Sequence, residues 1–399
     1  MAYKGGLIGN DNLYVPDAPT IGTATADGLG VSVTFSAPSD VGNDDITAYG
    51  LSVTDGTNVI GTTGSSSPIT LTGLTADTSY TAKVWAINDY GNGGLSNASN
   101  SFTPVASIAL HMGGTSGGAI NVVQKFVPET AGNSTDFGDL SSVRYYVASF
   151  SSDTRSVIAG GYVDDEVNTI EYFTFSSAGN ATDFGDLTAD IGFGGGFSNN
   201  TRGIVTAGLY NNSKSNVMEY VTIASTGNST DFGDSTVAAT YDSAGFASST
   251  RGISAGGLPA SGVSDHIDYV TINSAGNATD FGNLSAGRYV VAGSSNNTRG
   301  IFSGGHDNST GPLNIIEYIT VASTGNATDF GDLLANVYGP AACANTTKGF
   351  TLGGDTGSEV NTIQQVTIAS TGNSTDFGDL LQALKYGTAN CSGTEAVQS

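Results

Sequence analysis

The stretch TGNATDFGDL, residues 324–333, decides how this chain is built. The same phrase, with small changes, stands at six places whose Asn residues are 133, 180, 228, 277, 326 and 373, a spacing of 47 to 49 residues. A period of that length marks stacked supersecondary units, none of which can bury its apolar face alone. Within one period, residues 285–333, four segments read as extended: RYVVAGSS, RGIFSGG, IIEYITVAS and ATDFGDL. Each is bounded by Gly, Asn, Ser or Thr, which supply turn conformations. Four short strands in about 45–50 residues predict one blade of a β-propeller.

The ends of the array predict how it closes. SIALHMGG, residues 107–114, aligns with RGIFSGG and so with the second strand of a blade, whereas KYGTANCSGTEAVQS, residues 385–399, aligns with a first strand. Five continuous blades at about 141–187, 188–235, 236–284, 285–333 and 334–380 would then be joined by a sixth, split between 105–140 and 381–399. Sharing a blade between both ends removes exposed strand edges. Small residues in the first strands, as in GFGGGF and VVAGSS, suit a crowded axis.

Residues 15–104 hold no copy of the phrase. There VSVTFSAP, ITAYGLSVTD and SYTAKVWAIND alternate apolar and polar side chains, the pattern of half-buried strands in a β-sandwich. Residues 1–14, MAYKGGLIGNDNLY, form an arm rich in Gly and Asn, with no apolar run of the length a secretory signal uses. An unexported chain is expected from it. The 36 acidic residues outnumber 12 basic ones, and a net charge of -24 repels phosphate backbones and anionic head groups, which argues against nucleic acid. No 18-residue apolar run offers a membrane span. Cys343 and Cys391 share one repeat position and read as small buried side chains.

These residues carry resemblances. PDAPT, VSVTFSAP, LTGLTADTSYTAKVWAIND and GNGGLSNAS resemble a fibronectin type III domain. The resemblance implies that Leu74 and Tyr80 occupy that family's tyrosine corner, and Phe35 stands where the family usually has Trp. The repeats resemble kelch repeats, with a glycine pair ending the second strand (Gly160-Gly161, Gly304-Gly305), a Tyr in the third and an aromatic in the fourth. Where kelch repeats have Trp, this chain has Phe137, Phe184, Phe232, Phe281, Phe330 and Phe377. The fold class is thus all-β: a fibronectin type III sandwich followed by a six-bladed kelch-like propeller with split-blade closure. Each TDFGD is read as an outer strand whose Phe packs between blades, with the Asp and Gly beside it forming its turn.

No cofactor, metal site or active site is read from the sequence. Acid pairs such as Asp136 and Asp139 could be ring calcium sites, but Asn283 replaces one acid and no third carboxylate clusters with them. His111, His266 and His306 share no repeat position, which leaves a galactose-oxidase-type copper enzyme without its ligands. Asn-X-Ser/Thr in every phrase is read as turn chemistry. The turns after the first strand are alike (SSDTR, SNNTR, SSTR), and those after the glycine pair vary (YVDDEVN, LYNNSKSN, HDNSTGPLN). Varied loops on a rigid scaffold are where recognition resides, so Tyr162, Asp164, Asp165, Tyr210, Asn211, Asn212, His306 and Asp307 are the candidate ligand-binding residues.

The STGN-TDFGDL repeats resemble tail-fibre and virion structural proteins of marine tailed bacteriophages. That resemblance implies a non-enzymatic component of the virion surface. Its arm and fibronectin-like domain would contact other virion proteins, and its propeller would face a host glycan or protein. A bacterial extracellular carbohydrate-binding or adhesion protein is the alternative.

Overall fold

A computed structural model describes residues 14–206, 208–237 and 244–392. The arm, except for Tyr14, and residues 393–399 of the closing segment lie outside the described residues. Every regular element among the described residues is a β-strand, and the chain divides between Ala106 and Ser107 into two compact units.

In the N-terminal unit, alternation along the strands decides which side chains are buried. Val31, Val33 and Phe35 from Gly30–Ser36 meet Leu51 and Val53 from Ala48–Thr54 and Ala82 and Val84 from Thr81–Asn88 in one core between two antiparallel sheets. Tyr80 is buried, and its hydroxyl accepts a hydrogen bond from the Thr75 N–H at 3.2 Å, tying the loop to the sheet.

Among the described residues, the C-terminal unit contains six sheets, each with four principal antiparallel strands. The first runs Ala148–Ser151, Arg155–Ala159, Val167–Thr174, Thr182–Gly192. The last joins the two ends of the array, because Thr388–Cys391 pairs with Ala109–Met112, followed by Val122–Phe126 and Thr135–Asp139. The six first strands are wholly buried; each touches the next, and Thr388–Cys391 touches Ala148–Ser151. Crowding there demands small residues: a Cβ on Gly245 would lie 2.3 Å from the Gly196 carbonyl oxygen. Cys343 and Cys391 are buried and unbridged in these strands. GFGGGF is not one first strand, since Gly192 belongs to the preceding outer strand, which runs past the phrase so that Ile191 can pair with Val167.

The repeated phrase is a clasp between sheets, and its Asp and Gly form no turn. Asp136 pairs with Gln124 and Gly138 with Val123, leaving Phe137 as the extra residue of a β-bulge with its ring buried. The bulged backbone then meets the next phrase. Gly179 N–H donates to Phe137 O at 2.9 Å, Ala181 N–H donates to Asp139 O at 2.8 Å, and Asn180 Oδ1 accepts from Asp139 N–H at 3.2 Å. The set recurs around the unit and closes on itself, with Gly132, Asn133 and Ser134 joined to Phe377 and Asp379. Glycine is required by proximity: a Cβ on Gly138 would sit 2.0 Å from Gly179 O, and one on Gly331 2.5 Å from Gly372 O.

Two further ties lie inside the clasp. A buried acid or amide in each third strand (Glu171, Glu219, Asp268, Glu317, Gln364, Gln124) accepts the N–H that follows the neighbouring phrase, as from Ser285 to Glu317 at 3.0 Å and from Leu381 to Gln124 at 2.6 Å. Its remaining partner varies with the phrase. Where the phrase reads Asn-Ser-Thr, that Ser donates to Gln124, Glu219 or Gln364. Where Ala181 or Ala327 replaces the Ser, Arg144 pairs with Glu171, and Arg288 with Glu317 at 2.5 Å. Nearer the turns, Arg155, Arg202, Arg251 and Arg299 lie 4.3–4.6 Å over the third-strand Tyr rings and donate to a carbonyl of the next sheet.

Two predictions follow from the ties. Asn326→Ala, which removes one neutral hydrogen bond, lowers stability by about 1 kcal/mol, whereas Gly331→Ala, which forces two backbones apart, costs about 2–3 kcal/mol; urea midpoints of the two variants check the order. Arg288→Leu strands the Glu317 carboxylate and costs about 3–5 kcal/mol. Adding Ala327→Ser recovers most of that loss, because the pair then copies the arrangement of Ile191, Glu219 and Ser229; a double-mutant cycle in urea measures the recovery.

Candidate functional site

Among the described residues, the chain enters five of the six first strands through one residue in the left-handed region. Tyr146 (φ 52°), Phe193 (60°), Val290 (49°), Gly339 (62°) and Tyr386 (58°) occupy this repeat position. Such angles are uncommon for non-glycine residues and exceptional for Val, at a cost of about 1–3 kcal/mol each, so surrounding structure must hold them. A run of backbone bonds does so. Phe193 N–H donates to Tyr146 O (3.1 Å), Tyr146 N–H to Tyr386 O (3.0 Å), Tyr386 N–H to Gly339 O (2.9 Å) and Gly339 N–H to Val290 O (3.2 Å).

Inside this run is a recess of about 480 Å3, its open mouth included, lined by the starts of all six first strands, with Gly194, Gly245, Val290 and Gly339 among the small residues and Tyr146 and Tyr386 as the large ones. The left-handed backbone lays the aromatic rings side by side along its rim. Tyr386 covers Gly339, where a Cβ would lie 2.5 Å from the ring. Tyr146 packs on Tyr386 at 4.3 Å between centroids and on Phe193 at 4.2 Å. The contacts continue through Tyr338 to His306 and Tyr289 on one side, and through Tyr145 and Phe193 to Tyr162 on the other. All these rings are partly exposed.

One cation is built into the arc. Lys385 Nζ lies 2.6 Å from Asp355 Oδ2 and 5.4 and 5.2 Å from the Tyr338 and Tyr386 ring centres, and the Tyr338 hydroxyl donates to the same carboxylate oxygen at 3.2 Å. Burial pushes the Asp355 carboxyl up, but the bonds from Lys385 and the Gly357 N–H outweigh it and hold the group below the usual range. Burial also pushes the Tyr386 phenol up to about 12.

The residues predicted from the varied loops divide into four groups. Tyr162 and His306 stand at the two ends of the aromatic arc, each bridged by backbone to the residue leading into its own first strand, Tyr145 and Tyr289. Asp165 accepts from the Asn212 side chain at 3.0 Å, which joins two neighbouring loops, and Asp164 is exposed beside them. Tyr210 points back to the sheet, its hydroxyl 3.1 Å from Thr188 Oγ1, while Asn211 and Asn212 form a left-handed hairpin turn. Asp307 accepts the backbone N–H groups of Ser309, Thr310 and Gly311, which hold its carboxyl well below the usual range and occupy it as a turn cap. The sequence reading missed Tyr145, Tyr146, Phe193, Tyr289, Tyr338 and Tyr386. The signal was present: an aromatic precedes the first strand in RYYV, RYVV, NVYGP, LKYGT and DIGFGGG. Among the described residues, no group of three or more His, Cys, Asp or Glu could hold a metal ion.

With this geometry in hand, comparison adds the following. Residues 17–102 match the fibronectin type III domain family, and that segment is such a domain. No curated protein matches the chain. Among solved structures, that of YjhT, a kelch-like protein, superposes with a TM-score of 0.53 at 13% identity, over 69% of this chain and 98% of that one. Identity that low speaks to fold alone.

The built-in cation gives a pH prediction. Because the Asp355 carboxyl is depressed in the folded state, its contribution is fully present above the unfolded value of 3.8 and is lost as pH falls through the lower folded value. Lys385→Met therefore lowers the melting temperature near neutrality, and the gap from the parent narrows once the pH is well below 3.8. Melts by circular dichroism across that range check the sign.

Proposed function

We propose that this chain is a non-catalytic recognition and display protein. It combines a fibronectin type III domain with a six-bladed kelch-like propeller, and the aromatic rim of the recess contacts carbohydrate on another surface. The six four-stranded sheets, the closed cycle of contacts among first strands and the last sheet shared by both chain ends support the propeller reading. The likeness to YjhT supports the kelch-like part of it. The observation that carries the functional reading is the continuous arc of partly exposed aromatic rings from His306 to Tyr162, backed by a rigid scaffold.

Aromatic faces stack on the apolar faces of sugar rings, while nearby carboxylate and amide groups fix orientation, as in most small-ligand sites. A wholly architectural role would not need six such rings at one mouth, since the clasps and buried pairs already hold the sheets together. The sequence resemblance to virion structural proteins adds the setting: a component of a phage particle whose N-terminal part contacts other virion proteins and whose propeller faces the host. An extracellular bacterial adhesion protein would use the same rim.

The test is a glycan array with the parent, a rim variant (Tyr146→Ala, Tyr162→Ala, Tyr386→Ala) and a variant of the uniform turns on the other face (Asn297→Ala). Binding is expected for the parent and the Asn297 variant, and at least about tenfold weaker signal for the rim variant, which loses several stacking contacts. Equal signals from all three remove the rim from the function.

A further inference from the structure

The repeat lets one part of the rim be compared with another inside the same molecule. Lys385 directly precedes the left-handed Tyr386, and Gly192 directly precedes the left-handed Phe193. The backbone bonds agree with this match: Gly354 N–H donates to Leu384 O, and Gly161 N–H donates to Ile191 O, both at 2.8 Å. Around Lys385 stand Tyr338, Tyr386, Asp355 and Glu359; in the same relation to Gly192 stand Tyr145, Phe193, Tyr162 and Glu166. One interface thus carries an ammonium on its aromatic faces. At the other, the corresponding residue has no side chain.

The carboxylates behind the two places differ in the same sense. Glu359 accepts from Thr115 Oγ1 at 3.1 Å and from the Gly117 N–H at 3.2 Å, both in the next sheet's loop. Glu166 finds Leu209 where Thr115 would be, and so loses the hydroxyl donor. It is 5% exposed, and neither of its oxygens meets a donor in good hydrogen-bond geometry. Burial and the Asp165 side chain beside it push its carboxyl up, with the Asn212 N–H acting in the opposite direction. Its side chain lies over Gly192, with Cγ 2.9 Å from where a Cβ would be. A buried carboxylate so weakly partnered, with a second carboxylate beside it, is costly, and a cation is the group that best relieves it. Tyr145 and Phe193 lie 5.6 and 5.5 Å from Tyr162, leaving three aromatic groups around one point, the arrangement that receives ammonium groups.

We propose that the place bounded by Tyr145, Tyr162, Phe193 and Glu166 above Gly192 binds an ammonium group supplied by a ligand, and that on a carbohydrate-binding rim this group belongs to an amino sugar. The second half rests on the reading of the rim given above. The ammonium repeats what Lys385 does two interfaces away: it lies on aromatic faces and pairs with a carboxylate, here Glu166 in place of Asp355. Asp164, exposed beside Tyr145, adds negative potential at the entrance.

The experiment titrates the full chain with glucosamine, with N-acetylglucosamine, in which the amine is capped as a neutral amide, and with n-butylamine. Isothermal calorimetry is run on the parent, Glu166→Gln and Gly192→Lys, with thermal melts to establish folding. In the parent, glucosamine is expected to bind at least about tenfold more tightly than N-acetylglucosamine, the strength of a desolvated cation–aromatic contact. Glu166→Gln abolishes that preference. Gly192→Lys abolishes it too, because its own ammonium fills the place as Lys385 fills the equivalent one. Equal binding of both sugars to the parent overturns the ammonium site and leaves the carbohydrate reading standing. A preference that survives in both variants places the ammonium elsewhere and also overturns the proposal. Binding of n-butylamine that Gly192→Lys blocks, with neither sugar bound, upholds the ammonium site and removes the carbohydrate reading. No binding of any of the three overturns both.

Discussion

The C-terminal unit depends on one close approach, that of each Phe-Gly bulge to the glycine carbonyl of the neighbouring phrase. At 2.0 to 2.5 Å from a would-be Cβ, no residue other than glycine can stand there. Two backbone bonds and one Asn side chain then fasten each outer strand to the next sheet. Six weak ties in a closed cycle differ in kind from six in a row, because opening any one strains the rest. The last clasp, Asn133 to Asp379, spans the two ends of the repeat array, so continuity of sequence is not what closes the unit.

Inside the clasp, the buried acids and amides show how one geometric need is met in different ways. Every third strand presents an acceptor to an N–H from its neighbour, and the acceptor's second partner is the hydroxyl of the phrase Ser, a buried Arg or, at Asp268, the Thr236 hydroxyl with His266. An Arg–Glu pair taken out of water gains little over a neutral arrangement, since desolvation offsets the Coulomb attraction. The alternation between the two is therefore energetically tolerable, and it explains why Ser and Ala exchange freely within the phrase while Asn, Phe and Gly do not.

That rigidity is what makes the rim usable for recognition. Left-handed Tyr146, Phe193, Val290 and Tyr386 would relax if the first strands could separate; the packed cycle and the run of backbone bonds prevent it. The strain places aromatic rings against one another at the recess instead of burying them between sheets. Lys385 on Tyr338 and Tyr386 shows the chemistry such an arrangement accepts, and the bare Gly192 marks where a side chain is missing from it.

The sequence by itself determined the unit of repetition, the number of strands per unit, the sandwich and the sharing of one sheet by both ends of the repeat array, while the Tyr80 tie was implied by the fibronectin type III resemblance. All but that tie follow from local periodicity, turn residues and the offset at which the pattern starts and stops. It also marked the loops after the glycine pairs as varied, and Tyr162 and His306 do stand at the rim. Only the tertiary structure decided the rest. That TDFGD is a bulged clasp depends on a backbone 41 residues away in sequence, and proximity of that kind leaves no trace in local pattern. Asp307 reads as a ligand group but is consumed by its own turn, because Ser309, Thr310 and Gly311 fold back on it. The aromatic arc is assembled from residues at three repeat positions spread over five units, each unremarkable in its own segment, and they meet only because the cycle of sheets brings those positions to a common mouth.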